Sequence, residues 1–347
     1  MCRQNNVRRR FAVVVLIFAA SRSVSFAQAA EGFAWEAGEW ETTLLYDGRP
    51  ALRYMHRPYD DSSAGAREET IKPFWHVYSP DGQVLLTKGA GGLYTHHRGL
   101  FYGFNKVTYG GGRTCDVWHC TDGAHQAHVA ELSSDANEHR ASYLALLNWF
   151  GADDQPFAIE QRKIVVTRPE RHGAVGWQID FTSHLSAVNG EPIHLDGDPQ
   201  HAGFHFRAAQ EVADDTAQQT YYVRVDGRGA AGETRNWDHK APDAPMNAEC
   251  ENRPWNAMSV VVGGQRYTIA YLDHPTNPKP SRYSERDYGR FGSYFVTDVA
   301  DVPLVVRYRI WVQAGEMTPE QCARMSADFN AENTVLPAGP PVPAVVR

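Results

Sequence analysis

Two imidazoles and a guanidinium occupy consecutive positions at His96, His97 and Arg98, within Thr95-His96-His97-Arg98-Gly99-Leu100. Each costs free energy to bury without partners, so such a run suits a site better than a core. A guanidinium can hold a carboxylate or vicinal hydroxyl oxygens, and a neighbouring imidazole can move a proton near neutral pH. The histidines are bunched. His96, His97, His119, His125 and His128 are five of the fifteen, and His194, His201 and His205 form a second group, which marks both regions as candidates. Cys115-Asp116-Val117-Trp118-His119-Cys120 adds a carboxylate, an indole and an imidazole in one short segment. Aromatic faces suit stacking on sugar rings, and carboxylates accept hydrogen bonds from hydroxyls. A third stretch, Ser281 to Gly292, follows a proline-fixed loop at His274-Pro275-Thr276-Asn277-Pro278 and crowds charges between tyrosines and glycines. There Glu285 and Asp287 are candidate acids or bases, and Arg286 and Arg290 candidate anion clamps.

Adjacent residues of a strand point to opposite faces, so His96 and His97 could share a metal only from a loop. No histidine spacing matches an established metal motif. The expectation is therefore of histidines hydrogen-bonded in a polar cleft, with no metal assigned and the cofactor unknown. No G-x-S-x-G, phosphate loop or dinucleotide fingerprint occurs, which removes the usual serine hydrolases, nucleotide enzymes and Rossmann dehydrogenases.

The elements that must carry these residues read as strands. Asp47-Gly48 is a hairpin turn inside an alternating run from Trp35 to Tyr54. Residues 57–70 read as a loop, 73–78 as a strand, and Val84-Leu85-Leu86 as its continuation in the sheet. Trp177, Ile179 and Phe181 alternate with polar neighbours, and strands are also expected at 141–148, 157–167, 204–207, 220–225, 257–262, 267–272 and 305–312. Only Thr318 to Asn330 reads as helix, with Pro319 at its first position. Many strands, one terminal helix and no βαβ alternation predict an all-β chain, a large antiparallel β-sandwich in one domain over residues 30–335.

Residues 1–29 combine Arg3 and Arg8-Arg9-Arg10 with an apolar run from Phe11 to Ala20 and an A-x-A site at Ala27-Gln28-Ala29, the pattern of a secretory signal. Residues 336–347 read as a proline-rich tail. The formal net charge of -7 becomes more negative without the leader's arginines, which disfavours nucleic acid as a partner. The remainder contains no membrane-spanning run. The expected location is periplasmic or extracellular. Cys115, Cys120, Cys250 and Cys322 remain after the leader, and their pairing is open.

Three blocks in order, His96 to Leu100, Asp198-Pro199-Gln200-His201-Ala202-Gly203-Phe204-His205-Phe206-Arg207, and His274 to Phe295, resemble the exported bacterial family labelled methane oxygenase PmoA, typical of planctomycetes. The resemblance runs from Trp40 to Phe329. It implies a β-sandwich similar to the galactose-mutarotase supersandwich, in organisms that degrade polysaccharides. Methane oxidation by the membrane subunit of that name needs a polytopic chain, which this sequence is not.

The expected function is action on a carbohydrate, by hydrolysis, β-elimination or epimerisation. The expected catalytic residues are His96, His97, Arg98, Asp116 and Glu285. The substrate contacts are expected from Trp118, His119, His205, Arg207, Tyr283, Arg286 and Tyr288. In this scheme His96 or His97 moves the proton, Arg98 holds an oxygen, and Glu285 or Asp116 is the paired acid or base. A non-catalytic carbohydrate-binding protein and a histidine-ligated metalloprotein are the alternatives.

Overall fold

The computed structural model describes residues 31–332. The leader read over 1–29 and the tail read over 336–347 lie outside them. Antiparallel strands form three sheets. The first has eight strands in the order Phe33–Ala37, Glu41–Tyr46, Arg49–Met55, Phe74–Val77, Leu100–Phe104, Ala202–Arg207, Arg290–Tyr294 and Arg282–Arg286. The second is built on the long strands His125–Ala136, Arg140–Phe150, Pro156–Thr167, Ala174–Ala187 and Leu304–Ala314, and continues through Gln265–Asp273, Trp255–Val262 and Tyr221–Arg224. A small third sheet pairs Thr297–Val299, Ile193–Asp196, Lys106–Tyr109 and Arg113–Cys115. Asp47 (φ 48°) and Gly48 (φ 74°) make the expected hairpin turn between Glu41–Tyr46 and Arg49–Met55.

The two large sheets face one another across a single aromatic-rich core. Phe204 of the first stacks against Phe181 and Tyr308 of the second, with ring centroids 4.3 and 4.9 Å apart. The helix Pro319–Ala331 is the last described element, with Thr318 and Gln321 capping one another's backbone N–H groups. Its buried Cys322, Met325 and Phe329 pack on the second sheet's outer side, against Trp255 and Trp311. Among the described residues no helix is long and apolar enough to cross a membrane.

Two local expectations differ. Residues Ala64–Thr70, read as loop, form a short helix capped by the Ser63 hydroxyl, which accepts from the Ala66 N–H. Val84-Leu85-Leu86 does not extend the sheet and contributes only one isolated bridge, Tyr78 to Leu85. The four cysteines outside the leader are all free thiols, Cys115 and Cys120 included.

What positions the site is the alternation of the eight-stranded sheet. Phe204 and Phe206 point into the core, so His205 and Arg207 point away from it. The register pairs His205 with Phe101 and Gly292, and Arg207 with Arg290, which in turn faces Arg286. The outer face of this sheet is therefore a floor of His205, Arg207, Arg290 and Arg286. By the same alternation Tyr283 and Glu285 point inward.

Candidate metal centre and its surroundings

The His-His-Arg run lies in a turn rather than in a strand, since the strand begins only at Leu100. Opposite-face geometry therefore does not apply, and His96 and His97 turn the same way, with ring centroids 4.4 Å apart. Gly99 makes the sharp entry to the strand possible: its φ is +33°, and a Cβ there would lie 2.0 Å from the Trp75 carbonyl oxygen. Arg98 fixes the turn from behind. Its Nε donates to the Thr95 carbonyl at 3.0 Å and its Nη2 to the Glu68 carboxylate at 2.5 Å, while Thr95 Oγ1 donates to the same carboxylate at 2.6 Å. Arg98 is buried and engaged with Glu68, so it holds the loop and does not serve as the oxygen clamp expected of it. Glu68 sits on the short helix Ala64–Thr70, where the sequence predicts a loop.

Three further segments bring histidines to the same place. Asp198-Pro199-Gln200-His201 turns into the strand Ala202–Arg207, and the Asp198 carboxylate is 3.0 Å from His201 Nδ1 through both oxygens. Asp198 also accepts from the Gln200 N–H at 2.9 Å and from Asn105 Nδ2 at 2.7 Å. Burial pushes this carboxyl's pKa up, but the hydrogen bonds from His201, Gln200 and Asn105 outweigh it and hold the group ionised. An ionised carboxylate only accepts, so His201 carries its proton on Nδ1 and leaves the Nε2 lone pair free. Asp116 repeats the device. It accepts from the backbone N–H groups of Trp118 and His119 at 2.9 and 2.7 Å and from His119 Nδ1 at 2.7 Å. His205, on the sheet floor, is edge-on to Trp118 at 4.6 Å.

The result is a compact imidazole cluster. His119 lies 4.5 Å from His96 and 4.4 Å from His201 between ring centroids, and His97 stacks on His201 at 5.3 Å. One nitrogen each from His96, His97 and His201 lies within 4.8 Å of the others. His96 Nε2, His97 Nδ1 and both nitrogens of His205 are buried with no hydrogen-bond partner. Burial, reinforced by the neighbouring His119, pushes the His96 pKa down to about 2. Burial and the Arg290 charge likewise hold His97 and His205 well below the usual histidine range, and burial lowers His201. The deep imidazoles are neutral, and His96 and His97 are poorly placed to carry protons near pH 7.

Buried cations hold the walls. Lys72 Nζ donates to the Trp118 carbonyl and sits 4.1 Å from the Phe101 ring centroid, and burial lowers its pKa to about 7. Lys88 Nζ donates to the carbonyls of Gly91 and Leu93, fixing the glycine-rich approach. The rim carries Tyr94, 47% exposed, with its ring 5.0 Å from that of Tyr288.

Of the residues expected in the site, His96, His97, Asp116, His119 and His205 converge, and Arg207, Arg286 and Tyr288 lie beside them on the floor. Besides Arg98, three do not fit their expected roles. Glu285 is wholly buried on the inner side of the sheet, where it meets Arg224, Arg253 and Asn256. Tyr283 faces the same interior and donates its hydroxyl hydrogen to the Arg253 carbonyl at 2.7 Å. Trp118 is only 1% exposed, packed with Phe74 and Phe101, so it is a wall and not an open stacking platform. From the sequence, His201 is marked only as one of a histidine group and Asp198 has no site role, although both stand in the block that carries the family resemblance.

A family model described as "Family of unknown function (DUF6807)" matches residues 41–327. The chain belongs to this family. No curated protein matches the DUF6807 chain. Among solved structures it is similar to a GH36 alpha-galactosidase from Geobacillus stearothermophilus in complex with 1-deoxygalactonojirimycin. That match has a TM-score of 0.35 and 9% identity, and covers 84% of this chain but 42% of the other. It is also similar to a galactose mutarotase related enzyme from Lactobacillus acidophilus, with a TM-score of 0.30, 9% identity and 70% of this chain on 95% of that one. Values this low transfer neither a residue nor an activity.

Proposed function

We propose that this member of DUF6807 is a metal-dependent enzyme acting on a carbohydrate, with one transition-metal ion held by His96, His97 and His201. The observation that carries the metal is the convergence of three imidazole nitrogens within 4.8 Å of one another. The donor set fits such an ion. Nitrogen ligands suit zinc, copper, iron or nickel, and three histidines are the protein share of a catalytic centre that keeps a position open. The Asp198 carboxylate on His201 Nδ1 is the outer partner that metal-bound histidines usually have. Buried imidazole nitrogens with no partner are costly unless something occupies them. A metal ion there would supply Lewis acidity.

The protein's own chemistry lies around it. His119, its Nδ1 fixed by Asp116 and its ring 4.5 Å from that of His96, is the side chain best placed to pass a proton. The exposed Tyr94 ring at the rim, 6.1 Å from the His96 ring between centroids, offers the stacking face that a sugar requires. The signal-like leader adds export to this reading, with the substrate met in the periplasm or outside the cell.

Turnover of an oligosaccharide panel by the native protein tests the proposal. Product formation should be lost on chelation and return with added metal. Turnover that survives complete metal removal overturns the metal. Binding of a glycan by metal-loaded protein with no product on long incubation overturns the enzyme.

A further inference from the structure

Five arginines in the described structure are no more than 2% exposed: Arg98, Arg162, Arg207, Arg224 and Arg290. Three meet a carboxylate. Arg98 pairs with Glu68 at 2.5 Å, Arg162 with Glu160 at 2.8 Å and Arg224 with Glu285 at 2.6 Å. Among the described residues, Arg207 and Arg290 form no ion pair. They are cross-strand partners in the sheet register, and Arg290 is in turn the partner of Arg286, so three like charges stand side by side on one face. Opposed like charges destabilise a sheet, and a buried charge without a counter-charge costs several kcal/mol.

The free donors point to what is missing. Arg207 uses Nη1 on the carbonyls of Ala208 and Tyr288, which leaves Nε and Nη2 buried with no partner. These two nitrogens form one edge of the guanidinium plane, the edge that takes a carboxylate through two parallel bonds. Arg290 bonds Ser284 Oγ at 2.9 Å and the Pro199 carbonyl at 3.4 Å, and its Nε is also free. Asp214, an acid in the wider surroundings of Arg207, accepts instead from Gln210 Nε2 at 2.8 Å. The Tyr288 ring lies 4.8 Å from the Arg207 guanidinium and 6.5 Å from His97, so this edge adjoins the histidine cluster.

We infer that Arg207 and Arg290 bind a carboxylate of the ligand beside the histidine cluster, so that the sugar acted on is a sugar acid of the uronate class. The sugar in this statement rests on the carbohydrate reading above, whereas the anion rests on the arginines alone.

Thermal unfolding of the full chain in sodium glucuronate, glucose or sodium sulfate, at matched concentration and ionic strength, tests the inference, with metal content measured on the same samples. Glucuronate should stabilise saturably where glucose does not, and Arg207→Gln should weaken its apparent affinity at least about 10-fold. A glucuronate response no larger than that of glucose overturns the inference, and this comparison needs only the native chain. An unchanged response in Arg207→Gln also overturns it, and sulfate equal to glucuronate overturns the carboxylate. Metal-free protein that still responds to glucuronate would support the anion site while removing the metal. Metal-loaded protein blind to glucuronate would do the reverse.

Discussion

Replacing Glu285 by Gln separates a structural carboxylate from a catalytic one. Its two oxygens accept from Arg224 Nε at 3.0 and 3.2 Å and from Arg224 Nη2 at 2.6 Å. They also accept from Arg253 Nη1 at 3.3 Å, Asn256 Nδ2 at 2.9 Å and the Arg235 backbone N–H at 2.8 Å. Arg224 comes from the opposite sheet, so this is an ion pair across the sandwich interior. Gln keeps the shape but removes the charge and turns one acceptor into a donor facing other donors. Breaking one side of a buried pair costs about 3–5 kcal/mol. At about 2–4 °C per kcal/mol for a domain of this class, the melting temperature should fall by roughly 6–20 °C. Calorimetry or chemical denaturation reads the change directly. A variant that melts within about 2 °C of the native chain would refute the structural role.

Gly292→Ala should also destabilise, because its Cβ would fall 2.3 Å from both His205 Cδ2 and the Phe204 carbonyl oxygen. The backbone oxygen cannot swing aside, so a loss of about 1–3 kcal/mol by denaturant titration is expected, and an unchanged midpoint would contradict the packing. His76, which is not one of the clustered imidazoles, predicts a pH dependence. Burial, with Arg53 adding to it, lowers its pKa from 6.5 to about 4. The unfolded chain therefore takes up this proton first as pH falls, and stability is lost progressively from about pH 6.5 to pH 4, by up to roughly 3 kcal/mol. His76→Asn should flatten that slope in unfolding free energy, and an equally steep slope in the variant would show that other groups set it.

The sheets were legible because strand periodicity and turn chemistry are local signals. Trp177, Ile179 and Phe181 alternate into the core as read, and Asp47-Gly48 turns where expected. The helix at Ala64–Thr70 was not legible, since seven residues with Gly65 and no apolar stripe carry almost no periodic signal. The neighbourhood of the site was visible as a bunching of histidines, but roles within it were not. Whether Glu285 faces the outer floor or the core depends on strand phase, and the crowding of charges from Ser281 to Gly292 hid that alternation. Arg98 looked like a clamp because its partner, Glu68, is thirty residues away on the helix that had been missed. His96 and His97 can share a metal only from a loop, and the chain does turn there, a choice between strand and loop that the local sequence leaves open.

Elemental analysis of the native chain, purified without a histidine tag and dialysed, tests the metal centre most directly. Close to one equivalent of a transition metal per chain is predicted, falling severalfold or more in His201→Ala and in His96→Ala while both variants stay folded. A folded native chain that holds no metal and takes up none from a metal-supplemented buffer would contradict it.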